Sequence, residues 1–174
     1  MFCKDEKNFL RYRQQPAIRR MLKKTSKMAD CVEKNELIRH QTELLKSVDG
    51  VGERTALYMV VYTSCFSRFQ NARQFNCYAG LAPFVYTSGK SIHYRAKVSQ
   101  RANKQIKALL HMAALCAATH MKSSEYKEYY ARRCAEGKHP LCVLNVVRAK
   151  LVSRMFAVIQ RDEKYRQDYV RIQK

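Results

Sequence analysis

Between Glu53 and Glu125 the chain contains no Asp and no Glu. The same window carries Arg54, Arg68, Arg73, Lys90, Arg95, Lys97, Arg101, Lys104, Lys107 and Lys122. A solvated helix face ordinarily mixes both signs, so that neighbouring charges pair. No such pairing is possible within this window, and whatever it folds into must present a surface of one sign. The whole chain repeats the bias, with 34 Lys and Arg against 14 Asp and Glu, a net +20 over 174 residues. Self-repulsion on that scale works against a compact state unless a polyanion is the working partner. Nucleic acid is therefore the expected partner. A membrane surface fits less well. No apolar run approaches the ~20 residues of a spanning helix, and the opening MFCKDEKNFLRYRQ lacks the apolar core of a secretory signal.

The missing acids also narrow the chemistry. Two-metal nucleases need clustered carboxylates to hold Mg²⁺, whereas the carboxylates here lie at the two ends, in helical patterns such as Glu33, Glu36 and Glu43. No metal site and no cofactor of its own is expected. The seven cysteines, at 3, 31, 65, 77, 116, 134 and 142, form no CxxC pair and have no His at zinc-ligand spacing. Set among apolar neighbours, they read as reduced thiols and point to the cytoplasm. His40, His93, His111, His120 and His139 have no Ser–His–Asp partner set and read as packing or solvent-facing residues.

Periodicity predicts an all-α fold with at most one small β-hairpin. Residues 1–32 form a basic helical arm, interrupted by Pro16, whose apolar positions are too sparse for a core. The main domain covers 33–160. Leu37, Ile38, Leu44, Leu45 and Val48 recur at three- and four-residue steps, the run stops at DGVG, and a new stripe begins with Ala56, Met59 and Val60. Helix, tight turn, helix over 37–63 matches a helix-hairpin-helix pattern. Gly50 and Gly52 can take positive φ and let a phosphate approach the backbone. Arg54 follows, and the amides opening the second helix face that phosphate with the helix dipole behind them.

A short helix over 71–78 leads into a loop at 79–97, where FVYT and SIHYR can pair across Ser88, Gly89 and Lys90. A helical bundle over 101–160 follows. Its first helix, about 101–121, carries Ile106, Leu109, Leu110, Ala113 and Ala117 on one face and Arg101, Lys104 and Lys107 on another. The small residues of AALCAA predict close packing against a partner helix. A tyrosine-rich helix with Tyr126, Tyr129 and Tyr130 and a last helix over 141–160 complete the bundle. Residues 161–174 read as a charged tail, a frayed helix.

Five pieces then stand in order: DGVGERTA, FQNARQFNCYAGLAP, the SG of Ser88 and Gly89, SQRANKQIKALLHMAAL, and VLNVVRAKL. Together they resemble the C-terminal domain of the insertion sequence 110 family of DNA transposases (DEDD-type, bridge-RNA-guided recombinases), related to Piv invertases, over about residues 33–160. The resemblance implies a helical domain whose serine attacks a DNA phosphate, joined to a RuvC-like domain whose four carboxylates hold Mg²⁺. The serine falls on Ser88. Lys90, Arg95 and Lys97 are then placed to neutralise the phosphate, with Arg101, Asn103, Lys104 and Lys107 as further nucleic-acid contacts. It also implies DNA, a structured guide RNA and further copies of the chain as partners.

Two departures stand out: Ala102 replaces the family's Gly before Asn103, and Lys107 replaces an Arg, losing bidentate phosphate geometry. Residues 1–32, with only Asp5, Glu6 and Asp30, cannot supply the four carboxylates. The expectation is a truncated transposase that binds nucleic acid and does not cut it unaided. The competing reading is a non-catalytic helix-hairpin-helix nucleic-acid-binding module. A tyrosine recombinase is disfavoured, because the Arg…His-x-x-Arg set is absent despite 11 Tyr.

Overall fold

Asn35 opens the first helix by accepting the Leu37 N–H on its side-chain oxygen at 3.1 Å, a standard way of satisfying an orphan helix donor. The computed structural model describes residues 35–84, 87–88, 92–93, 97–98, 102–121 and 125–166. The arm at 1–32, Lys90, Arg95, Arg101 and the tail beyond 166 lie outside the described residues.

Six helices carry the described chain: α1 (Glu36–Lys46), α2 (Glu53–Tyr62), α3 (Ala72–Tyr78), α4 (Lys104–Thr119), α5 (Glu125–Ala135) and α6 (Pro140–Arg161). Between α3 and α4 lie four two-residue strands, β1 (Pro83–Phe84), β2 (Thr87–Ser88), β3 (Ile92–His93) and β4 (Lys97–Val98). The outer pair joins Pro83 to Val98 and Phe84 to Lys97, and the inner pair joins Thr87 to His93 and Ser88 to Ile92, all antiparallel. The all-α expectation with one small hairpin holds. The hairpin spans 83–98 and its two ladders differ in register by one residue.

The helices pack because each stripe finds another. α2 is buried at six consecutive positions, Thr55 to Val60, as a helix enclosed on several sides must be. α1 and α4 lie against α2, while α6 receives α1, α3, α4 and α5. The core runs through Leu45, Met59, Phe75, Ile106, Leu110, Val147, Leu151 and Met155, each at most 1% exposed. Burying a side chain of this size stabilises the fold by roughly 2–3 kcal/mol. After α2, Ser64, Cys65 and Phe66 all take positive φ, a conformation unfavourable for L-residues. The Thr63 hydroxyl accepts the Phe66 N–H at 3.0 Å, and the Phe66 ring meets Phe156 edge-on at 4.9 Å.

Two expectations change. Gly50 takes positive φ (+81°), but Gly52 is extended at −81° and serves as the N-cap of α2. Over residues 162–166 the chain does not continue as a helix. Asp162 adopts left-handed backbone, its carboxylate meets His40 Nε2 at 2.6 Å, and the Tyr165 N–H donates to Ser47 Oγ at 2.8 Å. The segment is tied back onto α1 as soon as α6 ends.

Candidate nucleic-acid interface

The expected contacts fall into two groups at opposite ends of α4. The first lies around its N-terminus. Asn103 is the N-cap: its Oδ1 accepts the N–H groups of Gln105 and Ile106 at 3.0 and 3.3 Å. Its amide donates to Tyr78 Oη at 3.0 Å, and its own N–H donates to the Tyr78 carbonyl at 3.3 Å. Asn103 therefore braces the helix start instead of presenting a free amide. Tyr62 Oη donates to Gln105 Oε1 at 2.7 Å, and burial raises its phenol above the usual range, keeping it a neutral donor. Arg68 lies over the rings of Phe69 and Tyr78, at 5.4 and 5.0 Å.

These bonds matter because Tyr78 and Asn103 flank the hairpin. A second tie comes from α6, where Asn145 donates from its amide to the Leu81 carbonyl at 2.9 Å. The hairpin that carries Ser88 in β2 and Lys97 in β4 thus rises from a base fixed to both α4 and α6. Lys104 is exposed at the first position of α4. Lys107, one turn on, is half-buried, and burial followed by the nearby Arg148 guanidinium holds its ammonium below the usual value. His111, a turn deeper, is buried. Burial first and Arg148 second bring its imidazole down to about 4, so it is neutral at physiological pH. Arg148 is itself 8% exposed, with Nε donating to the Leu144 carbonyl at 3.4 Å.

The second group lies at the other end. A Cβ on Gly50 would stand 2.5 Å from Ala117 Cβ and 3.0 Å from the Ala113 carbonyl. Gly50 is bare because α4 crosses there, which also explains the small residues of AALCAA. Gly52 has nothing within 4 Å of such a position, and Arg54 is exposed beside it. Only this outer half of the turn is open to solvent. From Gln105 to Ala117 the rise along α4 is about 18 Å, so the two groups of residues lie well apart.

Asn145 and Arg148 were used above only as part of the VLNVVRAKL landmark. Their three-residue spacing puts both on one face of α6, which is the signal available in the sequence. Among the described residues no three His, Cys, Asp or Glu side chains cluster to hold an ion. No described helix is long and apolar enough to cross a membrane.

A family profile described as transposase of the IS116/IS110/IS902 family matches residues 42–131, which include both ends of α4 and the hairpin. The pilin gene-inverting protein of Moraxella bovis is 27% identical over 128 residues, covering 74% of this chain and 39% of that protein. Its counterpart from Moraxella lacunata is 26% identical over 128 residues, with the same coverage. The insertion element IS110 43.6 kDa protein of Streptomyces coelicolor is 33% identical over 118 residues, covering 67% of this chain and 28% of its own length. The chain therefore spans about two fifths or less of these relatives.

Proposed function

The chain belongs to the IS116/IS110/IS902 family of transposases, and from that premise we propose that it binds DNA and presents Ser88 as the nucleophile of strand cleavage and transfer. The observation that carries the reading is the hairpin. Ser88 lies in β2, directly before the three residues that connect to β3, on a base tied to α4 through Asn103 and to α6 through Asn145. A nucleophile on so short a ladder needs such anchoring to be held against a phosphate.

In this reading Ser88 Oγ bonds to the phosphorus of a DNA phosphodiester. One P–O ester bond breaks, and the displaced strand end departs as a hydroxyl. The serine proton must go to a base, because a serine hydroxyl is a poor nucleophile until deprotonated. Glu125, Glu136 and Asp162 are already engaged with Arg154, Arg133 and His40. The described residues do not fit the Mg²⁺ that the family resemblance implies, since no three of their His, Cys, Asp or Glu side chains cluster. Alone, the chain binds DNA without cutting it.

Lys104 and Lys97 lend positive charge to the Ser88 end. At the other end the α1–α2 pair grips backbone in the helix-hairpin-helix manner, through Gly52 and Arg54, with Gly50 given over to packing. A structured guide RNA and a second copy of the chain complete the set of proposed partners.

Covalent capture tests the reading. The chain is supplied with the carboxylate-bearing domain of a relative, Mg²⁺, cognate RNA and labelled DNA, and denaturing gels are read for a protein–DNA adduct. The expected adduct is absent from Ser88→Ala. An adduct that persists in that variant removes Ser88 from the reaction. Tight, salt-sensitive DNA binding with no adduct from the unaltered chain leaves the non-catalytic binding module as the better reading.

A further inference from the structure

A cleft of about 250 Å³ opens between the C-terminal half of α6 and the segment that follows it. Its lining includes Arg154, Arg161, Lys164 and Arg166 against one carboxylate, Glu163. The cleft is built, not incidental. Left-handed Asp162 reverses the chain, His40 holds the Asp162 carboxylate, and Ser47 accepts the Tyr165 N–H at 2.8 Å. The Tyr165 ring then lies 5.1 Å from the Arg154 guanidinium, which is also 4.7 Å from the Tyr126 ring. Glu125 pairs with Arg154, so that arginine is neutralised and serves as the floor on which Tyr165 rests. The outward charge comes from Arg161, Lys164 and Arg166, all exposed.

A half-buried aromatic ring beside a stacked guanidinium, within reach of three cations, is the chemistry that holds a single nucleic-acid strand. The phosphates meet the cations, and bases stack on tyrosine and arginine planes. A recess this small suits an unpaired strand better than a duplex. Ser47, which anchors the cleft, closes α1, and from Asn145, which holds the hairpin base, to Ala157 in the cleft the rise along α6 is about 18 Å.

We propose that this cleft is a single-strand-binding site, distinct from the duplex contacts around Ser88 and Gly52. The proposal rests on the reading that the chain binds nucleic acid. It assigns the unpaired strand, RNA or displaced DNA, to the 161–166 segment. The strand then meets the domain at the end of α6 away from the hairpin base.

The experiment measures fluorescence anisotropy of the full chain with labelled single-stranded RNA, single-stranded DNA of the same sequence, and duplex DNA, across a salt series. The variants are Arg161→Gln/Lys164→Gln/Arg166→Gln together, and separately Tyr165→Ala. Circular dichroism confirms that both fold. The triple variant is expected to bind at least one single strand about tenfold more weakly, with its salt slope reduced by about 2, the loss of three phosphate contacts. Duplex affinity should change by no more than about threefold, which is the electrostatic change spread over the whole surface. Tyr165→Ala is expected to weaken the same single strand without changing the salt slope, since it removes stacking and no charge. The strand that responds identifies whether RNA or DNA is the natural occupant. Unchanged affinity for both single strands in the triple variant overturns the cleft and leaves the proposed function standing. Failure of the unaltered chain to bind any of the three probes overturns both.

Discussion

At the N-terminus of α4, Asn103, Gln105, Tyr62 and Tyr78 make directional polar bonds, while at its C-terminal half Ala113 and Ala117 press on a bare Gly50. The first kind of contact fixes an orientation, since each donor must point at its acceptor, and it holds the base of the hairpin. The second kind fixes a distance: it brings α1, α2 and α4 close and leaves no polar group to offer a ligand. The glycine turn attracted attention as a phosphate loop because glycine admits both uses. In the structure the two glycines differ: Gly50 is packed against α4 and Gly52 stands in open space.

The comparison breaks most visibly at Gly50. Gly50→Ala combines positive-φ strain with overpacking against Ala117, and should destabilise the fold by about 2–5 kcal/mol in urea denaturation. Adding Ala117→Gly removes the nearest clashing atom, so the double variant should be less unstable than the sum of the singles. Gly52→Ser adds a capping hydroxyl in open space and should shift stability by no more than about 1 kcal/mol. Equal losses at the two glycines would contradict the division of roles.

Acid probes the polar end. His111 titrates at about 4 in the fold and near its ordinary 6.5 when unfolded. As pH falls through 6.5 the unfolded chain takes up the proton first, so stability declines between about pH 6.5 and 4. The decline is on the order of 3 kcal/mol when complete, and stability is full above that window. His111→Gln should flatten this part of the profile, as measured by urea midpoints across the range. An unchanged slope would place the acid sensitivity elsewhere.

The smallest expected effect is at the cap. Asn103→Ala should cost about 1 kcal/mol and speed amide exchange at Gln105 and Ile106, whose N–H groups lose their acceptor. Asn103→Asp keeps the acceptor and should recover most of that loss. Equal exchange rates in the two variants would mean that the cap contributes little.

Much of this architecture was legible beforehand. The apolar steps around Ile106, Leu110 and Ala113, and around Leu144, Val147, Leu151 and Met155, located α4 and α6 to within three residues, because period 3.6 is a local property. The hairpin followed from a Ser-Gly turn between two short β-prone runs, and the strands at 83–98 match it. Less was legible in the site. The capping of α4 by Asn103 and its bond to Tyr78, 25 residues earlier, were not legible, since the partner lies on another helix. His111 and Arg148 could not be paired from sequence, because they lie on different helices. The segment after Arg161 looked like a frayed end, and only contacts with His40 and Ser47 hold it in place.

By itself the sequence determined the sign of the surface, the helical class and the order of landmarks that marks the family, all of them properties of composition or of short spacings along one chain. The tertiary structure decided which of two glycines is packed and which is open, which polar residues brace the base of the hairpin, and that residues 162–166 fold back to form a cleft. Each of those depends on what a distant helix places opposite a residue. Close packing and hydrogen bonding across such distances have no periodic trace in the chain.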